Sequence, residues 1–208
     1  MMIKEIGIEK ELFLLKDGKI MEPSLYGFPA DEMGFLIELR SLPSDRAYPI
    51  ITTLYNEELQ YRLRANKFGM ETVDASFKYE SKEFVDHIEN TYHISQFPDL
   101  TANIYGFKGS HHLGVFSTSK TNDIYKLTAG IHVHFSNRDS ETGKVLELPI
   151  EEIVSQMDDT FKTDIELSGR IKGEYEIKTD GHFEYRSLSC DMDVIRVVKE
   201  SFRILRGI

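Results

Sequence analysis

The chain has 208 residues, 40% of them hydrophobic and 29% charged, a composition typical of one globular domain and unlike that of disordered or fibrous proteins. Its 25 basic and 35 acidic residues leave a formal net charge of −10 without the basic face of a nucleic-acid binder, and no apolar run approaches the roughly 20 residues that span a bilayer. The single cysteine, Cys190, excludes an internal disulfide, which fits a reducing compartment. Taken together, these features predict one cytoplasmic domain over residues 1–208 that binds neither nucleic acid nor membrane.

The first half of the chain alternates between strand and helix patterns. In chain order we expect a strand over residues 3–15, a strand over 19–21, a strand over 35–42, a helix over 47–68, a strand over 72–79 and a helix over 81–92. Asp17 and Gly18 form a common hairpin turn between the first two strands. Gly69 follows the long helix as a C-terminal glycine stop.

The second half begins with a loop-rich stretch and then resumes the same alternation. In chain order we expect a loop over 93–122, a strand over 125–136, a helix over 149–162, a polar stretch with glycines over 168–181, a strand over 182–189 and a helix ending near 205. Pro149 suits the first turn of its helix, and Asp191 can cap the last one. Strands interspersed with helices and hairpins predict an α+β fold, a mostly antiparallel sheet with helices on one side.

Four of the predicted strands carry two polar residues separated by one position. The pairs are Glu9 and Glu11, Glu38 and Arg40, His132 and His134, and Glu184 and Arg186. Residues two apart on a strand point to the same face of the sheet. One such pair is more often a solvated face or a surface ion pair than a binding site. Four pairs together favour the interpretation that one sheet face is a polar binding surface.

The residue types on that predicted face suit divalent cations and phosphate. Carboxylate oxygens are preferred by Mg²⁺ and Mn²⁺, and adjacent carboxylates repel each other unless a cation lies between them. Arginine binds phosphate oxygens in a bidentate manner. The pattern therefore indicates cations that bridge an anionic ligand such as a nucleotide.

The same motifs, in this order, resemble the glutamine synthetase-like superfamily of carboxylate–amine ligases, which includes the glutamate–cysteine ligases. The smaller phage-type and bacterial carboxylate–amine ligases look closest. The resemblance rests on Gly7-x-Glu9-x-Glu11, on Glu38 in an apolar strand, on Gly130-x-His132-x-His134, and on Glu184-Tyr185-Arg186 preceded by the segment from Arg170 to Tyr175.

This resemblance implies a curved antiparallel sheet with helices on its convex side and a concave face that binds ATP and Mg²⁺ or Mn²⁺. It implies a reaction in which ATP phosphorylates a carboxylate and an amine then displaces phosphate from the acyl phosphate. By position, Glu9, His132 and Glu184 would hold one metal ion, and Glu11 and Glu38 a second. His134, Arg186 and Arg170 would contact the ATP phosphates, with Arg186 and Arg170 as catalytic residues. Small-molecule or peptide carboxylates and amines would be the substrates.

The sequence allows more than one interpretation of Glu176, of the function, of Arg40 and of the assembly. Glu176 stands where close relatives often have a basic residue, and either Lys172 or Lys178 could substitute for it. The alternatives to a ligase are a degenerate, ligase-like module that binds a nucleotide or peptide without turnover and an unrelated metal-dependent hydrolase. Arg40 could bind a substrate carboxylate or form an ion pair. A homo-oligomer is compatible with the sequence, which does not specify the assembly.

Overall fold

The computed structural model describes residues 2–96, 100–107, 111–112, 115–117 and 124–208. The strands are β1 (Met2–Lys16), β2 (Lys19–Ile20), β3 (Leu36–Arg40), β4 (Glu71–Val73), β5 (Phe77–Ser81), β6 (Ala102–Asn103), β7 (His111–His112), β8 (Val115–Ser117), β9 (Ile124–Thr128), β10 (Gly130–Asp139), β11 (Glu174–Ile177) and β12 (Phe183–Ser189). The α-helices are α1 (Ala47–Lys67), α2 (Lys82–Tyr92), α3 (Ile150–Thr160), α4 (Lys162–Ser168) and α5 (Val194–Gly207). The predicted α+β class with mostly antiparallel sheet is confirmed for the part of the chain described.

The main sheet has the order β2-β1-β10-β12-β11-β6, and β3 and β4 also pair with β1. Every described pairing in it is antiparallel. The long strand β1 is the organising element, because its first nine strand residues pair with β10 and its middle pairs with β3. A second sheet, in the order β5-β9-β8-β7, continues from β10 through Ala129.

The two faces of β1 have different environments, as period-two alternation requires. Ile6, Ile8, Leu12 and Leu14 are fully buried in the main core, which they share with residues of β10 and β12 and with α1, α3, α4 and α5. The opposite face carries Gly7, Glu9 and Glu11 and then Phe13 and Leu15, which enter a second core.

Four helices therefore cover the first face of the sheet, and α2 is an exception to the prediction that the helices lie on one side. Ile88 of α2 is buried in the second core with Phe13 and Phe35. This second core covers one end of the other face and leaves Glu9 and Glu11 beside a cavity. Of the described helices, none has both the length and the apolar composition needed to cross a membrane.

Five of the predicted elements are wrong in their extent. The strand expected over 125–136 is two strands, because β9 belongs to the second sheet and β10 to the main sheet. The strand expected over 72–79 is two strands, since β4 pairs with β1 and β5 pairs with β9 of the second sheet. The helix expected over 149–162 ends at Thr160, and α4 begins after Phe161. The cap of α5 is Asp193 and not Asp191, since the Asp193 side chain accepts a hydrogen bond from the Ile195 N–H. The polar stretch 168–181 contains β11, and the loop 93–122 contains β6, β7 and β8, with its other residues partly outside those described. Short polar strands lack the apolar alternation from which strands are predicted.

Candidate functional site

Strand register brings the four polar pairs side by side. Glu9 of β1 lies opposite His132 of β10 on one side and opposite Arg40 of β3 on the other. Glu11 lies opposite Glu38, and His134 lies opposite Glu184 of β12. Cross-strand neighbours have Cβ atoms about 4.5–5.5 Å apart, so their side chains interact directly.

All eight of these side chains line one cavity of about 850 Å³. The described lining residues include eight carboxylates, and only Arg40, Arg138, Lys178 and Arg186 bring a permanent positive charge. An excess of carboxylates in a partly buried space is unfavourable unless cations neutralise it. The cavity therefore has the charge that suits divalent cations.

A three-residue cluster has the geometry of a metal site. Glu9, His134 and Glu184 each offer one ligand atom, and these three atoms lie within 4.8 Å of one another. His134 Nε2 lies 3.1 Å from Glu9 Oε1, yet it is buried and makes no hydrogen bond with the described residues. An imidazole nitrogen without a hydrogen-bond partner beside two carboxylates fits a divalent cation, since imidazole and carboxylate are both ligands of such ions.

His132 lies next to this cluster and interacts with three carboxylates, including that of Glu9, whose Oε2 is 3.8 Å from His132 Nδ1. Its Nδ1 is 2.8 Å from Glu184 Oε1, and its Nε2 is 3.9 Å from Glu11 Oε1. Burial and Arg186 lower the pKa of His132, but Glu11 and Glu184 outweigh them and raise that pKa to about 9. Without a cation, His132 is therefore an imidazolium between these carboxylates. The assignment of His132 to a metal ion and of His134 to phosphate stays a prediction, and the geometry brings His134 into the three-residue cluster.

A second group of carboxylates lies where β1 meets β3. Glu11 and Glu38 face each other across the strands, and Glu11 Oε2 accepts a hydrogen bond of 2.6 Å from the backbone N–H of Gly130. Asp31 lines the same cavity, with Oδ1 accepting from the Leu36 N–H at 3.1 Å and with Oδ2 buried and without a hydrogen bond. Burial, followed by the charge of Glu11, raises the pKa of Asp31 to about 8. Asp31 lies in a loop and has no strand pattern, so no periodicity in the sequence marks it as a site residue.

The raised pKa of Asp31 leads to a pH-dependent stability prediction. Because folded Asp31 keeps a proton that the unfolded chain has lost, its contribution to the free energy of unfolding falls as pH rises from about 4 to about 8. Asp31→Asn cannot ionise, so in EDTA we expect it to be about 1–3 kcal/mol more stable than the parent protein above pH 8, with a much smaller difference near pH 4. Urea unfolding at both pH values measures this, and an equal difference at both would contradict the assignment.

Two cations approach the cluster from β12 and from the end of β11. Arg186 Nη1 is 2.7 Å from Glu184 Oε1 and 3.3 Å from Glu176 Oε2. Lys178 Nζ is 2.9 Å from Glu176 Oε1 and 2.5 Å from Glu184 Oε2. Lys172 instead lies 4.6 Å from the centre of the Tyr105 ring and is not among the residues that line the cavity. Of the two candidate lysines, Lys178 is the one in position to contact a ligand there.

A β-bulge contributes to the direction of Arg186. Ile131 pairs with Leu188 but Val133 pairs with Tyr185, so β12 has one extra residue opposite His132. Bulges occur beside functional sites because they redirect a side chain without ending the strand.

Arg170 and Arg40 differ in their surroundings. Arg170 is not among the cavity-lining residues; its Nη2 donates a 2.6 Å hydrogen bond to the carbonyl of Arg186. Its guanidinium packs on Gly130, where an added Cβ would lie only 2.9 Å from Nη2, so a larger residue there would displace the guanidinium. The structure thus gives Arg170 a contact that supports β12, while its phosphate role stays a prediction. Arg40 is largely exposed and forms ion pairs with Glu38 and with Glu9.

The chain was compared with protein families, with curated proteins and with solved structures. None of the three comparisons found a match.

Proposed function

We propose that the chain is an ATP-dependent carboxylate–amine ligase that acts through an acyl phosphate and has a curved, glutamine synthetase-like sheet. The required divalent cation is Mg²⁺ or, in its place, Mn²⁺. The observation that carries this proposal is the strand register, which aligns Glu9 with His132, Glu11 with Glu38 and His134 with Glu184 along one acidic cavity. An acidic face with arginine and lysine at its edge suits a metal-bound triphosphate better than an uncharged ligand.

In this proposal the carboxylates and imidazoles hold the cations. Glu9 and Glu184, with His134 or His132, would hold one divalent cation, and Glu11 and Glu38 a second. Such cations neutralise the charge of the transferred phosphate. Arg186 and Lys178 would give up part of their ion pairs with Glu184 and Glu176 and contact phosphate oxygens.

The proposed reaction has two steps, phosphoryl transfer to a carboxylate and attack by an amine. A substrate carboxylate oxygen attacks the γ-phosphorus of ATP, the bond to ADP breaks, and an acyl phosphate forms. An amine nitrogen then attacks the acyl carbon, phosphate leaves, and the nitrogen loses a proton to give an amide. The cavity residues contribute by position and charge, because phosphoryl transfer depends mainly on alignment and electrostatic stabilisation.

A binding module without turnover is the second candidate, and one observation favours it. Glu176 forms ion pairs with both Arg186 and Lys178, the two cations nearest the cluster. If these pairs persist when a nucleotide binds, neither cation is available to the transferred phosphate. A metal-dependent hydrolase has less support, because it would need the acidic ligands but not Arg186 and Lys178.

Acyl-phosphate trapping separates these functions. The protein is incubated with ATP, Mg²⁺, hydroxylamine and a panel of amino acids and short peptides, and hydroxamate is measured. We expect ATP-dependent hydroxamate with at least one carboxylate and none in EDTA. ATP binding without hydroxamate for any carboxylate would favour the binding module, and phosphate release without hydroxamate would favour the hydrolase.

A further inference from the structure

A histidine outside the four polar strand pairs lies against the metal-site cluster. His182, at the end of the turn between β11 and β12, lines the cavity, and its Nε2 is 3.0 Å from Nδ1 of His134. The turn is held by backbone hydrogen bonds from Gly181 to the Lys178 carbonyl and from Lys178 to the His182 carbonyl, both 2.9 Å. Gly181 has φ +92°, a conformation in which other residues are strained.

Asp180 determines the orientation of the His182 ring. One Asp180 oxygen contacts His182 Nδ1 and accepts a second hydrogen bond, 3.3 Å long, from the His182 backbone N–H. The other oxygen lies 3.7 Å from Nη2 of Arg138. An ionised carboxylate can only accept hydrogen bonds, so His182 must carry its proton on Nδ1. A neutral His182 then has an unprotonated Nε2.

This arrangement also determines the tautomer of His134. While His182 is neutral, its Nε2 can only accept, so the 3.0 Å contact requires His134 to donate from Nδ1. A neutral His134 with its proton on Nδ1 has an unprotonated Nε2, the buried atom that lacks a hydrogen bond beside Glu9 and Glu184. Metal-ligating histidines commonly donate their second ring N–H to a partner that fixes the ring in this way.

We propose that Asp180 and His182 are positioning residues that hold His134 as the Nδ1–H tautomer, with Nε2 available to a divalent cation. The inference rests on the cation site of the proposed function but is independent of the ligase reaction.

Two variants at His182 separate hydrogen bonding from ring packing. His182→Phe keeps a ring but cannot accept a hydrogen bond, whereas the amide oxygen of His182→Gln can accept from His134 Nδ1. We expect Mn²⁺ affinity, measured by electron paramagnetic resonance, to fall about 10- to 100-fold in His182→Phe and to be largely restored in His182→Gln. His87→Phe, which changes an exposed histidine of α2 outside the cavity, is the matched control and should bind Mn²⁺ like the parent protein.

A second measurement needs no metal. Long-range ¹H–¹⁵N NMR at alkaline pH reports which ring nitrogen carries the proton, and we expect His134 in the parent protein to be protonated at Nδ1 and to lose that preference in His182→Phe. His134 protonated at Nε2 in the parent protein, or an unchanged Mn²⁺ affinity in His182→Phe, would overturn the inference. If the parent protein binds no Mn²⁺, the cation site of the proposed function fails, and the tautomer measurement still decides the role of His182.

Discussion

Glu184→Gln is expected to lower the free energy of unfolding by about 3–5 kcal/mol and to eliminate Mn²⁺ binding at the cluster. Glu184 is fully buried, and its carboxylate is paired with His132, Arg186 and Lys178. Glutamine has the same shape but no charge, so His132 would lose its nearest counter-ion, and Arg186 and Lys178 would keep only Glu176.

The pKa of Glu184 gives this effect a pH signature. Burial raises that pKa, but His132 and Arg186 outweigh burial and hold it well below the usual range. A depressed carboxylate pKa contributes stability above the ordinary pKa near 4.5, and that contribution is lost as pH falls through the native value. The difference between parent protein and variant should therefore shrink in acid.

Urea unfolding in EDTA, from neutral pH into acid, measures this difference. Glu176→Gln is the matched control, because Glu176 pairs with the same Arg186 and Lys178 but is partly exposed and is not in the three-residue cluster. We expect the control to lose less stability and to keep Mn²⁺ binding. Equal stability of Glu184→Gln and the parent protein would mean that Glu184 is not the shared counter-ion.

Arg186→Ala is expected to slow hydroxamate formation about 100- to 1000-fold, because a preorganised cation at the transferred phosphate typically contributes that much. ATP binding should weaken far less, since the carboxylates that hold cations remain. The reason is positional: Arg186 lies on the β-bulge of β12 with Nη1 2.7 Å from Glu184 Oε1, beside the proposed cation.

Arg186→Lys tests whether charge alone is sufficient. Lysine keeps the counter-ion of Glu184 and Glu176 but loses the fork of donors that matches phosphate, so we expect a rate between those of the alanine variant and the parent protein. Thermal melts in EDTA show whether each variant is folded. A folded Arg186→Ala variant with the parent rate would remove Arg186 from the phosphate site, even if the ligase activity itself is present.

Residue pattern alone was sufficient to predict the fold class, most of the long elements and the polar face. Alternation along β1, β10 and β12 identified which side chains share a face, because side chains on a strand alternate with a period of two whatever the partner strands are. The same alternation selected Glu9, Glu11, His132, His134 and Glu184, all of which line the cavity.

The neighbours of each strand, their register and the residues that loops add to the cavity depend on tertiary packing. The register of β10 against β12 places His134 opposite Glu184, and a bulge that no local pattern encodes lies at Arg186. Asp31 and His182 lie in or beside loops, so their position at the cavity depends on how distant segments fold back and not on periodicity. The contact of Arg170 with the Arg186 carbonyl likewise follows from packing between segments, because hydrogen bonds across 16 residues have no signature in local sequence.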